Sequence, residues 1–448
     1  MKTIGIVICN YNKSEYVVNC IRSVLASDTD DFDIYVVDNA SQDDSAERIR
    51  ECFDEKVTLL VNEENLGGSG GFNRGLRLVL EKGYRYALCL DNDVIVDAAA
   101  IRSLKEFLDT HPDTGMVGAR VFHMEQPEVI QQFGLDVDWD HFCTEAKYTG
   151  TMQADELPEV LYCYAAAACC LMVRTEVMRK IGIMPEENFL YWDDTEWGYR
   201  CNLAGYRVAA YGRARVWHAM GARKESINTF PVYYAWRNQI RFFARYIPEE
   251  FQNVMARAFV SEVFEVVYCG MYRGEENMTR TVMLAYDDAL HGVTGKAGEN
   301  RIFPVDESRQ RRQLKALLQE KKHILMAAGE FAEEAVALAE ELEALGMDRR
   351  IDIYEQESEL KSEPGEEQVL CILLCGSVFG LTQQQLAQTG PDKIWMDIGG
   401  SFVADASDIR KIEAYPAAKE AFLQAHIPLF LQLVQEHYPK GAGRTAKE

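Results

Sequence analysis

The chain has 448 residues, 48% of them hydrophobic, and a net charge of −24. That length suits two or three domains with real cores, and the charge excludes sequence-independent nucleic-acid binding and a surface drawn to anionic membranes. No apolar run reaches the ~18 residues that span a bilayer. No small-residue cleavage site follows Met1-Lys2-Thr3, and the twelve cysteines lack any Cys-x-x-Cys pair, as in a reduced cytoplasmic protein.

Residues 4–8 read as a buried strand, followed by Asn10-Tyr11-Asn12 and an amphipathic helix through Val17, Ile21, Val24 and Leu25. A second strand, 32–37, ends in Asp38-Asn39-Ala40-Ser41, and Ser41 or Asp43 can cap a helix over 45–53. A third strand at 57–61 precedes a glycine cluster, 65–75, and a helix over 76–82. The apolar run 86–90 then stops at Asp91-Asn92-Asp93. A helix (98–110), a strand (115–121), a polar segment (123–159), a strand (161–173) and a helix (175–181) follow. Strands 208–211 and 214–217 lead to His218, and residues 229–290 read as helical. Alternation of strand and helix with near-continuous apolar strands predicts an α/β fold with a mostly parallel sheet covered on both faces. Ligands then collect at the strands' carboxyl ends, where Asn10, Asp38, residues 67–71 and residues 91–93 fall.

Glycines near 292–304 mark a linker, a basic helix occupies 309–322, and a smaller strand–helix alternation fills the rest. The expected domains are therefore 1–225 (catalytic), 226–298 (helical extension), 299–322 (linker and basic helix) and 323–448 (small Rossmann-like α/β domain). Gly329 stands without a dinucleotide fingerprint, so no cofactor is assigned there, and docking or homo-oligomerisation is the default role of that domain.

Two carboxylates at the end of a buried strand gain nothing there unless a cation or donors compensate them. With His218 as a third ligand, Asp91 and Asp93 suit a divalent ion, and the imidazole tilts the choice toward Mn2+ over Mg2+. Asp193, Asp194 and Glu196 lie among Tyr191, Trp192, Trp197 and Tyr199. A desolvated carboxylate there has a raised pKa, which is how a general base is made. The glycine cluster fits neither the P-loop nor the Gly-x-Gly-x-x-Gly spacing. Anion binding by its N–H groups and close backbone packing stand about even.

Six motifs occur in order: Ile6-Val-Ile-Cys-Asn10-Tyr11-Asn12, Val36-Val-Asp38-Asn39-Ala-Ser41, Asn65 through Arg74, Leu90-Asp-Asn-Asp93, Trp192-Asp-Asp194 and Trp217-His218. Over roughly residues 1–298 this pattern resembles the family 2 glycosyltransferases of GT-A fold, most of all their rhamnosyl- and galactofuranosyl-transferase branch, which Arg237-Asn238 also resembles. The resemblance implies an inverting, metal-dependent enzyme of cell-surface polysaccharide synthesis. Its donor would be like dTDP-rhamnose, UDP-galactofuranose or a UDP-hexose, and its acceptor a glycan or a lipid-linked glycan. By the same resemblance Asp38 binds the base or ribose, Asp91 contacts ribose or metal, and Asp93 and His218 ligate the metal. Asn10, Asn65, Gly68, Asn73 and Asn92 line the nucleotide sugar, while Trp192, Glu196 and Trp197 face the acceptor. Asp194 is the base, with Asp193 standing where the family often has Glu. The expected location is the cytoplasm, or a peripheral position at the inner face of the plasma membrane. A sugar nucleotidyltransferase, which wants a glycine-rich basic loop after the first strand, and a non-catalytic scaffold, which would lack a metal or base residue, are the alternatives.

Overall fold

The computed structural model describes residues 2–152, 156–219, 229–344, 350–360 and 368–439. The chain divides into two compact units. The first comprises Met1–Phe251, Asp287–Arg301 and His437–Glu448, and the second Gln252–Tyr286 and Ile302–Glu436.

In the first unit, β1 (Ile4–Asn10), β2 (Phe32–Asp38), β3 (Thr58–Val61) and β4 (Tyr86–Asp91) are crossed by α1 (Ser14–Leu25), α2 (Ser45–Phe53) and α3 (Gly67–Lys82). They pair in the order β3-β2-β1-β4, all parallel. The strand order reverses between β1 and β4, the point at which open α/β sheets take ligands in the crevice beyond the strands' carboxyl ends. The sheet continues through β5 (Val94–Val96), β6 (Thr114–His123), β7 (Ile130–Gln132), β10 (Val160–Cys163), β11 (Cys170–Arg174) and β12 (Arg207–His218). Here β11 runs antiparallel to both β4 and β6, and β12 runs parallel to β6. The expected parallel character therefore belongs to the first four strands, and the far half of the sheet is mixed.

Alternation of side chains along β1 builds a core on each face. Ile4, Ile6 and Ile8 pack with Val17, Ile21 and α4 (Ala100–Thr110) on one side. Val7 packs with Leu76, Val79 and Trp197 on the other, which is covered by α3, α5 (Thr175–Ile181) and α6 (Asp193–Leu203). The polar segment 123–159 holds β7 and a separate hairpin, β8 (Leu135–Asp138) with β9 (Cys143–Ala146). The strand expected over 161–173 is two strands, because Ala165 to Ala168 carry too little side chain to hold one extended run in the sheet. The two short strands expected before His218 are one, β12, with an irregularity between Tyr211 and Arg215.

The glycine cluster is the first turns of α3, not a loop before it. A Cβ at Gly71 or Gly75 would overlap Cys9 or Val7 of β1. Close helix–strand packing therefore accounts for these two glycines. Residues 229–290 are helical as expected, in α7 (Thr229–Tyr246), α8 (Gln252–Arg273) and α9 (Glu276–Leu290). Tyr233, Tyr234, Phe242 and Phe243 are buried.

The second unit carries α10 (Arg309–Gln319) and a five-stranded sheet of β13 (His323–Ala327), β14 (Arg350–Tyr354), β15 (Val369–Cys375), β16 (Lys393–Asp397) and β17 (Phe402–Val403). Its order is β14-β13-β15-β16-β17, parallel except for the last strand. Among the described residues no helix is long and apolar enough to cross a membrane. All twelve cysteines are free thiols.

Candidate active site

Strand register builds the site. Asn10 is the β-partner of Asp38, and Cys9 that of Asp91, so β1, β2 and β4 release their chains side by side. After Asp91 the chain turns through Asn92 and Asp93 into β5, which pairs with the end of β12 so that Val94 faces His218. The backbone N–H of Ala219 also donates to the Asp93 carbonyl at 3.1 Å. Two carboxylates and an imidazole, far apart in sequence, thus meet. One ligand atom from each of Asp91, Asp93 and His218 lies within 4.8 Å of the others.

His218 Nε2 is 3.2 Å from Asp93 and 3.7 Å from Asp91. Its Nδ1 is 2.8 Å from the Gln131 Oε1 acceptor. That bond places a hydrogen on Nδ1 and aims Nε2 at the carboxylates, the usual second contact of a metal-binding histidine. Burial pushes Asp91 up to about 6, with Asp93 and Asp194 adding to the rise and His218 and Lys13 opposing it. For Asp93 burial acts upward too, but hydrogen bonds from His218 and Lys13 hold it well below the usual carboxylate range. Lys13 Nζ lies 2.5 Å from Asp93, a side chain only 4% exposed. The donor set fits a divalent cation. It is hard, oxygen-rich and oriented by Gln131.

Beside the cluster runs a polar ladder. Asn92 Nδ2 donates to Asn10 Oδ1 at 2.8 Å, Asn10 Nδ2 to Asp38 at 3.0 Å, and the Ser41 N–H to the other Asp38 oxygen at 3.0 Å. Asn10, Asp38 and Asn92 are all buried. The Asp38 carboxylate is covered by Asn10 and the Ser41 main chain and organises the crevice floor. Asn65 is tied into the same floor, accepting from the Gly67 N–H at 2.8 Å and from Asn39 Nδ2 at 3.1 Å. Asn73 does not reach the crevice. It is fully buried and spends its amide on the Met184 carbonyl and Glu186.

The third component arrives on α6. Phe189, Tyr191 and Trp192 have φ of 62°, 61° and 64°, a region that bulky L residues rarely enter, and the helix begins at Asp193 directly after this kinked turn. Asp193 accepts from the Ser69 hydroxyl at 3.1 Å, and Gly68 leaves room beside it. Asp194 accepts from the Ala168 N–H at 3.3 Å and the Thr195 N–H at 2.7 Å. Burial raises both carboxyls, and Asp194 adds to the rise at Asp193. The Asp194 charge also contributes to the rise at Asp91.

Two expected acceptor residues lie elsewhere. Glu196 is 2% exposed and is consumed by Arg200 and Arg245, both at 2.7 Å, Tyr246 at 2.9 Å and Asn188 at 3.0 Å. Trp197 is fully buried, its indole N–H on the Gly182 carbonyl. Trp192 packs on Phe242 and Phe243 while remaining partly exposed, and Tyr191 and Tyr164 are exposed nearby in sequence to the acids and to Ala168. Sequence reasoning missed Gln131, Lys13 and Ser69. Lys13 had a signal, since it extends the Asn10-Tyr11-Asn12 motif. Gln131 had none, because only the β6–β7 pairing carries it to His218.

Residues 5–182 match the family model described as Glycosyl transferase family 2. The galactofuranosyltransferase GlfT2 of Mycolicibacterium smegmatis is 23% identical over 195 residues, 40% of this chain and 30% of that protein. The dTDP-rhamnosyl transferase RfbF of Shigella flexneri is 23% identical over 274 residues, 58% of this chain and 87% of that protein. Among solved structures, GalNAc-T7 with UDP, GalNAc and Mn2+ aligns with a TM-score of 0.46 at 15% identity, covering 58% of this chain and 50% of its own. The chain thus spans less than a third of GlfT2 and most of RfbF. The family match runs from β1 through α5 of the first unit.

Proposed function

We propose that this protein is an inverting, metal-dependent glycosyltransferase that moves a sugar from a nucleoside-diphosphate donor to a hydroxyl of a glycan or lipid-linked acceptor. The observation that carries the reading is convergence. The Asp91–Asp93–His218 cluster, the Asn92–Asn10–Asp38 ladder and the raised Asp193–Asp194 pair gather at the carboxyl ends of one sheet. The family match, and relatives named for galactofuranosyl and dTDP-rhamnosyl transfer, support a donor of UDP-galactofuranose or dTDP-rhamnose type.

Asp91, Asp93 and His218 would hold the metal, Mn2+ being the better match to a set containing imidazole. Bound there, the ion neutralises charge growing on the leaving diphosphate. The buried ladder fixes the floor on which the nucleoside rests, and the ring of Trp192 and the exposed Tyr191 offer faces for acceptor sugars. Asp194 takes the proton from the acceptor hydroxyl as that oxygen attacks the anomeric carbon from the side opposite the diphosphate. A single displacement of this kind inverts the centre. Burial raises the Asp194 carboxyl, which favours its action as a base, and Asp193 beside it is held by Ser69. Such enzymes serve cell-surface polysaccharide synthesis, and the chain's place is the cytoplasm or the inner membrane face.

Nucleotide-sugar hydrolysis and transfer across a donor panel, with Mn2+ and with chelator, tests the reading. Turnover of at least one donor that depends on metal is expected. Absence of turnover with every donor and acceptor would overturn it.

A further inference from the structure

The kinked turn before the acids is held from α7, by the Arg237-Asn238 pair that the mechanism above leaves unused. Asn238 is buried, and its Nδ2 donates to three main-chain carbonyls, those of Asn188 (2.8 Å), Leu190 (2.8 Å) and Tyr191 (3.1 Å). Its Oδ1 accepts from Arg237 Nε at 3.0 Å. Arg237 itself donates to the Asn188 carbonyl at 3.0 Å and to the Gly295 carbonyl at 2.8 Å. The Gly295 N–H returns to the Glu187 carbonyl at 2.7 Å. From within the turn, Asn188 Nδ2 reaches the Trp192 carbonyl at 3.2 Å.

On the opposite side the turn rests against Gly67, where any Cβ would overlap the Phe189 carbonyl oxygen. Backbone with three positive φ values among bulky residues persists only where its surroundings over-determine it. A side-chain amide is suited to that task. It offers two hydrogens at short reach and a neutral group, while its oxygen takes up the neighbouring arginine.

We propose that Asn238 is a positioning residue for the reaction. It clamps residues 188–191 in the kinked conformation that aims Asp193 and Asp194 into the crevice, and Arg237 orients its amide. The proposal rests on the reading that this acid pair serves transfer. A misplacement of about 1 Å at a catalytic group can cost about 100-fold in rate, which sets the effect to look for.

The test compares Asn238→Ala, Asn238→Asp and Asn238→Ser, using the nucleotide sugar that the wild type turns over. Ala is expected to lower kcat by about 100-fold with KM for the donor and Mn2+-supported UDP or dTDP binding within twofold. Asp is nearly isosteric but turns an acceptor toward three carbonyls, so it should do no better than Ala. Ser, with one shorter donor, should fall between Ala and wild type, and it carries the comparison if Ala does not fold. Hydrogen exchange in peptide 186–195 should rise in Ala and Asp while the sheet strands stay protected. Turnover within threefold of wild type in Ala, near-wild-type turnover in Asp, or unchanged exchange in that peptide would overturn the clamp. Failure of the wild type to transfer from any donor would instead overturn the functional reading, and the exchange comparison would still decide the clamp.

Discussion

Replacing each acid of the pair by its amide separates their roles, because their hydrogen bonds differ. Asp193 accepts from the Ser69 hydroxyl, which can rotate to accept from an amide instead, so Asp193→Asn keeps that contact. It does remove a half-buried charge next to Asp194, and burial with that neighbour raises the Asp193 pKa. A tenfold increase in proton affinity corresponds to about 1.4 kcal/mol, and relief of about 1 kcal/mol raises Tm by about 2–4 °C in a domain of this size. Asp194→Asn relieves charge too, but it turns an amide against the Ala168 N–H and gives back about 1 kcal/mol, leaving Tm near wild type. In turnover the order reverses. Loss of a general base costs about 10²–10⁴-fold, so Asp194→Asn should nearly abolish kcat with donor binding intact, and Asp193→Asn should lose much less.

The pH dependence follows with its sign. The folded pKa values of the pair are raised, so its protonated form is favoured by folding. Stability from this source is present below the ordinary carboxylate range and is lost as pH rises through the raised value. Activity, which needs the free base, rises over the same interval. Thermal melts and kcat–pH profiles of the three proteins measure both. A less stable Asp193→Asn would refute the desolvation argument. A dead Asp193→Asn beside an active Asp194→Asn would move the base to Asp193.

Gln131→Leu keeps the volume but removes the acceptor for His218 Nδ1, and Mn2+ affinity measured by calorimetry should fall about 10–100-fold. Gly67→Ala meets both a φ of 76° and the Phe189 carbonyl. It should cost about 2–3 kcal/mol, seen as a lowered melting temperature together with reduced turnover.

The parallel half of the sheet was legible because its strands are buried on both faces and end in polar motifs at regular intervals. The meeting of Asp91, Asp93 and His218 was legible for a related reason. Two acids at the end of a buried strand need a partner, and Trp217-His218 followed another apolar run. Gln131 was invisible, since it sits in a polar stretch with no periodicity and becomes a neighbour of His218 only through pairing of β7 with β6. Glu196 and Trp197 misled because acids and aromatics alternate through residues 191–199, and one turn of helix decides which of them face the crevice. The helix rotates Asp193 and Asp194 outward and turns Glu196 into its arginine network and Trp197 into the core. The glycine cluster was undecided on spacing alone and was resolved by contact. Gly71 and Gly75 let α3 lie against β1, and Gly67 seats the kinked turn.

The central claim is that Asp91, Asp93 and His218 form the metal site of a sugar-transfer centre. Mn2+ titration of the wild type and of the double variant Asp93→Ala/His218→Ala, each with UDP or dTDP present, tests it most directly. The wild type should bind Mn2+, and the double variant should lose at least 100-fold in affinity. Mn2+ binding that survives both substitutions would contradict the account.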